Sequence, residues 1–172
     1  MSDANEKSAG ADTSSAGPGA PGDLRVSRSV ASTDGTTIAF QTCGDTAARP
    51  LLLLHGWAQS SRAWGDELLG RLAETFRVIA MDLRGHGNSG APADGYDDSR
   101  QWADDVAAVL DAEGVGDGDG AIVLGWSYGG IVVGDFVATE GTGRIGGIVL
   151  CGATTSISRA PGGAVGDATV RT

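Results

Sequence analysis

Histidine is nearly absent from this sequence. Its 172 residues hold two, His55 and His86, and none follows position 86. Lysine is scarcer still, with Lys7 alone against eleven arginines and a net charge of −10. Nucleic acids and anionic membranes are met by basic surfaces, so neither is an expected partner. Cysteine occurs twice, at Cys43 and Cys151, far apart on the second and sixth predicted strands. No Cys or His pair stands at ligand spacing, so both cysteines read as small buried hydrophobes, and neither a metal nor a cofactor is expected. No apolar run reaches the length of a membrane span. Residues 1–24 are rich in Ser, Ala, Gly, Asp and Pro, without the apolar core of a secretory signal. They read as a disordered tail, and the expected location is cytoplasmic.

Against those absences stands one dense segment, Ala121-Ile-Val-Leu-Gly-Trp-Ser-Tyr-Gly-Gly130. Ala121–Leu124 is a short apolar run bounded by glycines, which suits a buried strand. From Tyr128 to Val137 the apolar residues Ile131, Val132, Phe136 and Val137 fall near one helical face. A Gly-x-Ser-x-Gly between strand and helix presents its serine on a sharp turn above a sheet. Gly125 and Gly129 flank Ser127 because side chains there would clash in such a turn. Upstream, Pro50-Leu-Leu-Leu-Leu-His-Gly-Trp57 is a second buried strand ending in His55-Gly56. Arg77-Val-Ile-Ala-Met-Asp-Leu-Arg-Gly-His-Gly-Asn-Ser89 is a third, running into a glycine-rich turn.

The ordered set HG, D-x-R-G-x-G-x-S and G-x-S-x-G resembles the first half of the α/β-hydrolase superfamily, over about residues 25–155. The resemblance implies an α/β fold with a mostly parallel central sheet, truncated after about the sixth strand, and residues 156–172 as a loop or disordered tail. It implies Ser127 as a nucleophile forming an acyl-enzyme, with the backbone N–H groups of Trp57 and Tyr128 as oxyanion donors. His55 and Gly56 would support that oxyanion loop, and Asp82 would anchor the turn beside Arg84. The side chains of Trp57, Trp126 and Tyr128 are candidates for an acyl or alcohol pocket, with core packing the equal alternative for Trp126. A serine at the elbow excludes the chemistry of relatives that form an ester on an aspartate, such as epoxide hydrolases and haloalkane dehalogenases. It leaves esterase, lactonase, C–C hydrolase and cofactor-free haloperoxidase or perhydrolase chemistry, and the expected partner is a small-molecule ester-like substrate.

A serine hydroxyl needs a general base, usually a histidine oriented by a carboxylate, and in this superfamily both follow the serine. Here no histidine follows Ser127. Asp135 and Glu140 fall in or at the end of the next helix, and Asp167 lies in the Gly/Ala/Thr-rich tail. The expectation is a chain with a nucleophile and an oxyanion site but without base or acid, inert by itself. It would be completed by another chain, or would self-associate, through an exposed sheet edge at residues 145–150. The alternative is a non-catalytic hydrolase remnant that binds a ligand or partner.

The remaining segments fit that frame. Residues 25–32 and 36–41 alternate around Thr33-Asp-Gly35 as a hairpin. Ser60 or Ser61 caps a helix with Trp64, Leu68, Leu69, Leu72 and Phe76 on one side. Asp98 and Gln101 form a capping-box pattern before a helix whose inner face is Trp102, Val106, Val109 and Leu110. Gly141-Thr-Gly-Arg-Ile-Gly146 matches a dinucleotide fingerprint by letter but closes a helix instead of opening one. The Asp/Gly run 114–120 lacks the ligands of a calcium loop and reads as a solvated turn.

Overall fold

The computed structural model describes residues 25–154. The tails expected over 1–24 and 156–172 lie outside them. The alternating N-terminal segment forms an antiparallel hairpin of β1 (Val26–Ala31) and β2 (Thr37–Cys43), in register Val30↔Ile38. Asp34 Oδ1 accepts the Thr36 N–H at 2.8 Å and closes the turn. Four further strands follow: β3 (Pro50–Leu54), β4 (Arg77–Met81), β5 (Ala121–Trp126) and β6 (Ile145–Cys151). β2 pairs antiparallel with β4, and the remaining ladders are parallel, giving the order β1-β2-β4-β3-β5-β6.

The four leucines of β3 divide by pleat. Leu52 and Leu54 join a core with Ile79, Met81, Val123 and the helices α2 (Ser99–Ala112) and α3 (Gly129–Glu140). Leu51 and Leu53 pack on the other face with Val78, Ala80 and Leu69 of α1 (Gly65–Ala73). A strand covered on both faces needs apolar residues at every position, which is why the run is unbroken. At each βα junction the central strands bring their C-terminal ends to one edge of the sheet, and the candidate site lies there.

Three expectations are corrected. The helix after Ser60 begins as a 3₁₀ turn (Ser61–Trp64) and restarts as α1, because Gly65 takes φ +67° and breaks the phase. Leu69 is consequently buried while Leu68 faces out, and Phe76 lies beyond the helix end, packed from a turn. The capping box at α2 is half formed. Asp98 Oδ1 accepts the Arg100 N–H at 2.9 Å, while the Gln101 side chain accepts from Arg84. The cysteines are not both buried: Cys43 is half-buried, and Cys151 is exposed because β6 is an edge strand among the described residues.

Gly141–Gly146 joins α3 to β6, with Gly118 N–H donating to Gly143 O across the base of the sheet. In the Asp/Gly run, Asp119 caps the Gly116 N–H. Among the described residues no cluster of His, Cys, Asp and Glu is arranged to hold a metal, and no helix is long and apolar enough to cross a membrane. On β6, Ile148, Val149 and Leu150 remain 44–46% exposed.

Candidate active site

β5 delivers Ser127 into a turn where its backbone is left-handed, φ +52°. That conformation costs a non-glycine residue about 1–2 kcal/mol, so the surroundings must hold it. Ser127 N–H donates to Cys151 O at 3.1 Å, and Ser127 O accepts from Gly130 N–H at 3.0 Å, tying the turn to β6 and to α3. The flanking glycines are sterically required. A Cβ on Gly125 would lie 2.7 Å from Gly129 O, and one on Gly129 would collide with the Leu54 carbonyl. A Cβ on Gly56 would come within 3.2 Å of Ser127 Cβ. The loop after β3 therefore crosses directly beside the serine.

That loop runs His55-Gly56-Trp57-Ala58, and Ala58 is the other non-glycine residue with positive φ, +57°. Trp57, Ser127, Tyr128 and Ile131 line one cavity of about 510 Å³ with Gly152 and Thr154. Trp57 is 61% exposed at its mouth, edge-on to the Tyr128 ring at 5.2 Å, and Tyr128 in turn meets Trp102. Trp126 lies on the other side, against Trp64. Tyr128 caps α3 without a side-chain hydrogen bond. Among the described residues no backbone carbonyl takes up the N–H of either Trp57 or Tyr128. Free N–H groups at a helix N-terminus favour negative charge.

Neither histidine engages Ser127. His55 Nδ1 is 2.8 Å from Gly56 O, and its Nε2 accepts the Leu83 N–H at 3.0 Å. His86 Nδ1 is 2.8 Å from Arg84 O, and its Nε2 accepts the Ala58 N–H at 3.2 Å. A carbonyl only accepts, so each ring carries its proton on Nδ1 and is neutral. Burial holds the His55 pKa below the ordinary histidine value, against the raising effect of its bond to Gly56 O. Asp82 bridges two loops, with Oδ1 accepting from Ser61 N–H at 2.6 Å and Oδ2 from Asn88 N–H at 2.9 Å. Of the later carboxylates, Asp135 has its pKa raised by burial, against a smaller lowering effect of Ser99 at the start of α2. Glu140 is exposed at the end of α3. Asp167 lies outside the described residues.

A buried ionic cluster behind the site was not read from the sequence. Arg84 is fully buried and forms a two-pronged pair with Asp105, Nε–Oδ2 and Nη2–Oδ1 both at 2.7 Å. It also reaches Asp34 at 3.1 Å and the Gln101 carbonyl at 3.2 Å. One guanidinium thus pins the hairpin turn and α2 to the loop that carries Asp82 and His86. The available signal was Asp105 itself, a charge on the stripe of Trp102, Val106 and Val109, where only a paired carboxylate is tolerated.

The model of the alpha/beta hydrolase family matches residues 51–171. Over 124 residues the chain is 39% identical to a non-heme chloroperoxidase of Streptomyces lividans, covering 72% of this chain and 44% of that protein. Over 109 residues it is 42% identical to a bifunctional esterase/perhydrolase of Acinetobacter calcoaceticus, covering 63% of this chain and 38% of the other. The crystal structure of an esterase from Rhodococcus sp. ECU1013 superposes with a TM-score of 0.74 at 57% identity, over 77% of this chain and 47% of that one. The chain spans less than half the length of these relatives. Sheet order, motif order and these matches agree: the chain belongs to the alpha/beta hydrolase family.

Proposed function

We propose that this chain carries the nucleophile and oxyanion half of a serine hydrolase that cleaves small ester-like substrates through an acyl-enzyme on Ser127. The observation that carries the reading is the strained Ser127, held at φ +52° between β5 and α3 with the Gly56–Trp57 loop against it. In this reaction Ser127 Oγ bonds to the ester carbonyl carbon while its proton passes to a base. The carbonyl electron pair moves onto oxygen, where the N–H groups of Trp57 and Tyr128 meet it. Collapse expels the alcohol, which takes the proton, and water repeats the sequence on the acyl-enzyme. His55 and Gly56 support the oxyanion loop in this reading. The Trp57–Tyr128–Ile131 cavity takes the apolar part of the substrate.

Both described histidines have their ring nitrogens committed elsewhere, so the base and its acid would come from polypeptide outside these 172 residues, seated against β6. The likeness to a solved esterase at 57% identity supports esterase as the first reading, and the names of the curated relatives support cofactor-free haloperoxidase or perhydrolase as the second. The test is p-nitrophenyl acetate hydrolysis by the 172-residue chain and by a form extended through the downstream reading frame. The expected result is no turnover by the former and turnover by the latter that Ser127→Ala abolishes. Activity surviving Ser127→Ala overturns the nucleophile assignment. An inert extended form favours a non-catalytic remnant that binds a ligand or partner.

A further inference from the structure

We infer that His86 is a positioning residue that holds the oxyanion loop in place, by accepting the Ala58 N–H on a neutral ring and so keeping Ala58 left-handed. The described residues contain two non-glycine positions with positive φ, Ala58 and Ser127, and they sit on the two loops that meet at one cavity. Ser127 has its own supports in β6 and α3. Ala58 is exposed, and alanine has no side chain that could stabilise a left-handed turn locally. Its one side-chain partner is His86 Nε2, at 3.2 Å.

The two histidines form a reciprocal exchange. His55 stands on the loop after β3 and accepts from Leu83 N–H in the turn after β4; His86 stands in that turn and accepts from Ala58 N–H in the loop after β3. Their rings are 5.3 Å apart, and each donates its Nδ1–H to a carbonyl within its own loop. Each Nε2 is left as a lone pair for the opposite loop. The His86 ring also meets the Trp57 indole edge-on at 5.4 Å, so one side chain holds both residues of the turn. The charged and titratable groups around the pair are few. Asp82 is occupied by the N–H groups of Ser61 and Asn88, Arg84 presents only its carbonyl to His86, and Tyr128 lies beyond Trp57.

The role of this clamp in catalysis rests on the proposed oxyanion function of Trp57; the clamp itself does not. Its test is therefore spectroscopic first. In the ¹⁵N-labelled chain, scalar coupling across N–H···N hydrogen bonds is measured between Ala58 N and His86 Nε2, with Leu83 N and His55 Nε2 as the internal reference. Both couplings are expected, together with the short intraresidue HN–Hα distance of a positive φ at Ala58. In His86→Phe the Ala58 amide should shift and that distance lengthen while the reference coupling stays. His86→Gln, which keeps an acceptor at similar reach, should restore the wild-type pattern. In the extended enzyme His86→Phe should lower kcat by about 10–100-fold with little change in KM, the scale of a misplaced transition-state donor, with partial rescue by Gln. Absence of the Ala58–His86 coupling beside an intact reference, or an Ala58 signature unmoved in His86→Phe, overturns the inference. Failure of Ser127 to react in any form overturns the hydrolase reading and leaves the coupling result standing.

Discussion

Ile148, Val149 and Leu150 supply a quantitative test of the sheet edge. Each is 44–46% exposed on a parallel strand with no neighbour beyond it among the described residues. Full burial of such a side chain is worth about 1.5–3 kcal/mol, so close to half, roughly 0.7–1.4 kcal/mol each, is forgone here. Over three residues that is roughly 2–4 kcal/mol, a large share of a typical net stability of about 5–15 kcal/mol. The same groups lie beside a row of backbone donors and acceptors that no other described strand pairs, an edge that can template pairing with another chain. The 172-residue protein is therefore expected to associate with rising concentration in sedimentation velocity and to bind an apolar dye such as ANS. Val149→Lys removes one apolar group and places a charge on the edge. It should weaken self-association by about tenfold or more, since roughly 1.4 kcal/mol is a factor of ten. A wild-type chain that stays monomeric, melts cooperatively and protects its amides over residues 145–150 would refute the reasoning.

Arg84→Met leaves the Asp105 carboxylate buried without its cation and should cost about 3–5 kcal/mol in urea unfolding, most of it recovered by adding Asp105→Leu. A single variant within about 1 kcal/mol of wild type would contradict this. Ser127→Gly relieves the left-handed strain and should raise stability by up to about 1 kcal/mol in thermal melts, offset in part by glycine's unfolded-state entropy. A lowered midpoint would show that the turn is not strained. The His55 pKa is depressed by burial, so its contribution is fully present above the ordinary histidine value of 6.5. Stability should fall as pH drops from there toward the folded-state value, by at most about 1.4 kcal/mol per pH unit. His55→Gln should flatten that slope, measured by urea midpoints across the range.

What the sequence made legible was whatever depends on local pattern. The unbroken leucines of β3, the stripe Trp102–Val106–Val109–Leu110 and the glycines bracketing Ser127 each carry a constraint that residue type expresses directly. The apolar side after Ser60 holds for Trp64, Leu69, Leu72 and Phe76, and what residue pattern did not express is the break at left-handed Gly65 and the outward Leu68. The Arg84–Asp105 pair joins residues 21 positions apart and depends on α2 docking over the hairpin. Ala58 is invisible for a different reason: alanine announces no preference for positive φ, and the Gln59 N–H to Gly56 O turn bond together with the partner across the loop make that conformation intelligible. Cys151 reads as buried from residue type alone, as a small hydrophobe, yet its exposure is set by the place of β6 in the sheet.

The strand order also governs how the molecule reaches this state. β1 and β2 are joined by a tight turn and can pair within microseconds. β3 must find β5, and the clasp at the foot of that ladder, Arg49 Nε to Gly120 O at 2.7 Å, closes a loop of 71 residues. Parallel pairings of such separation give a high contact order and slow folding. Ser127 receives its supports from β3, β6 and α3 only after those long loops have closed. On these grounds the strained turn is expected to form late, and a destabilised chain to lose the Ser127 turn before its hairpin.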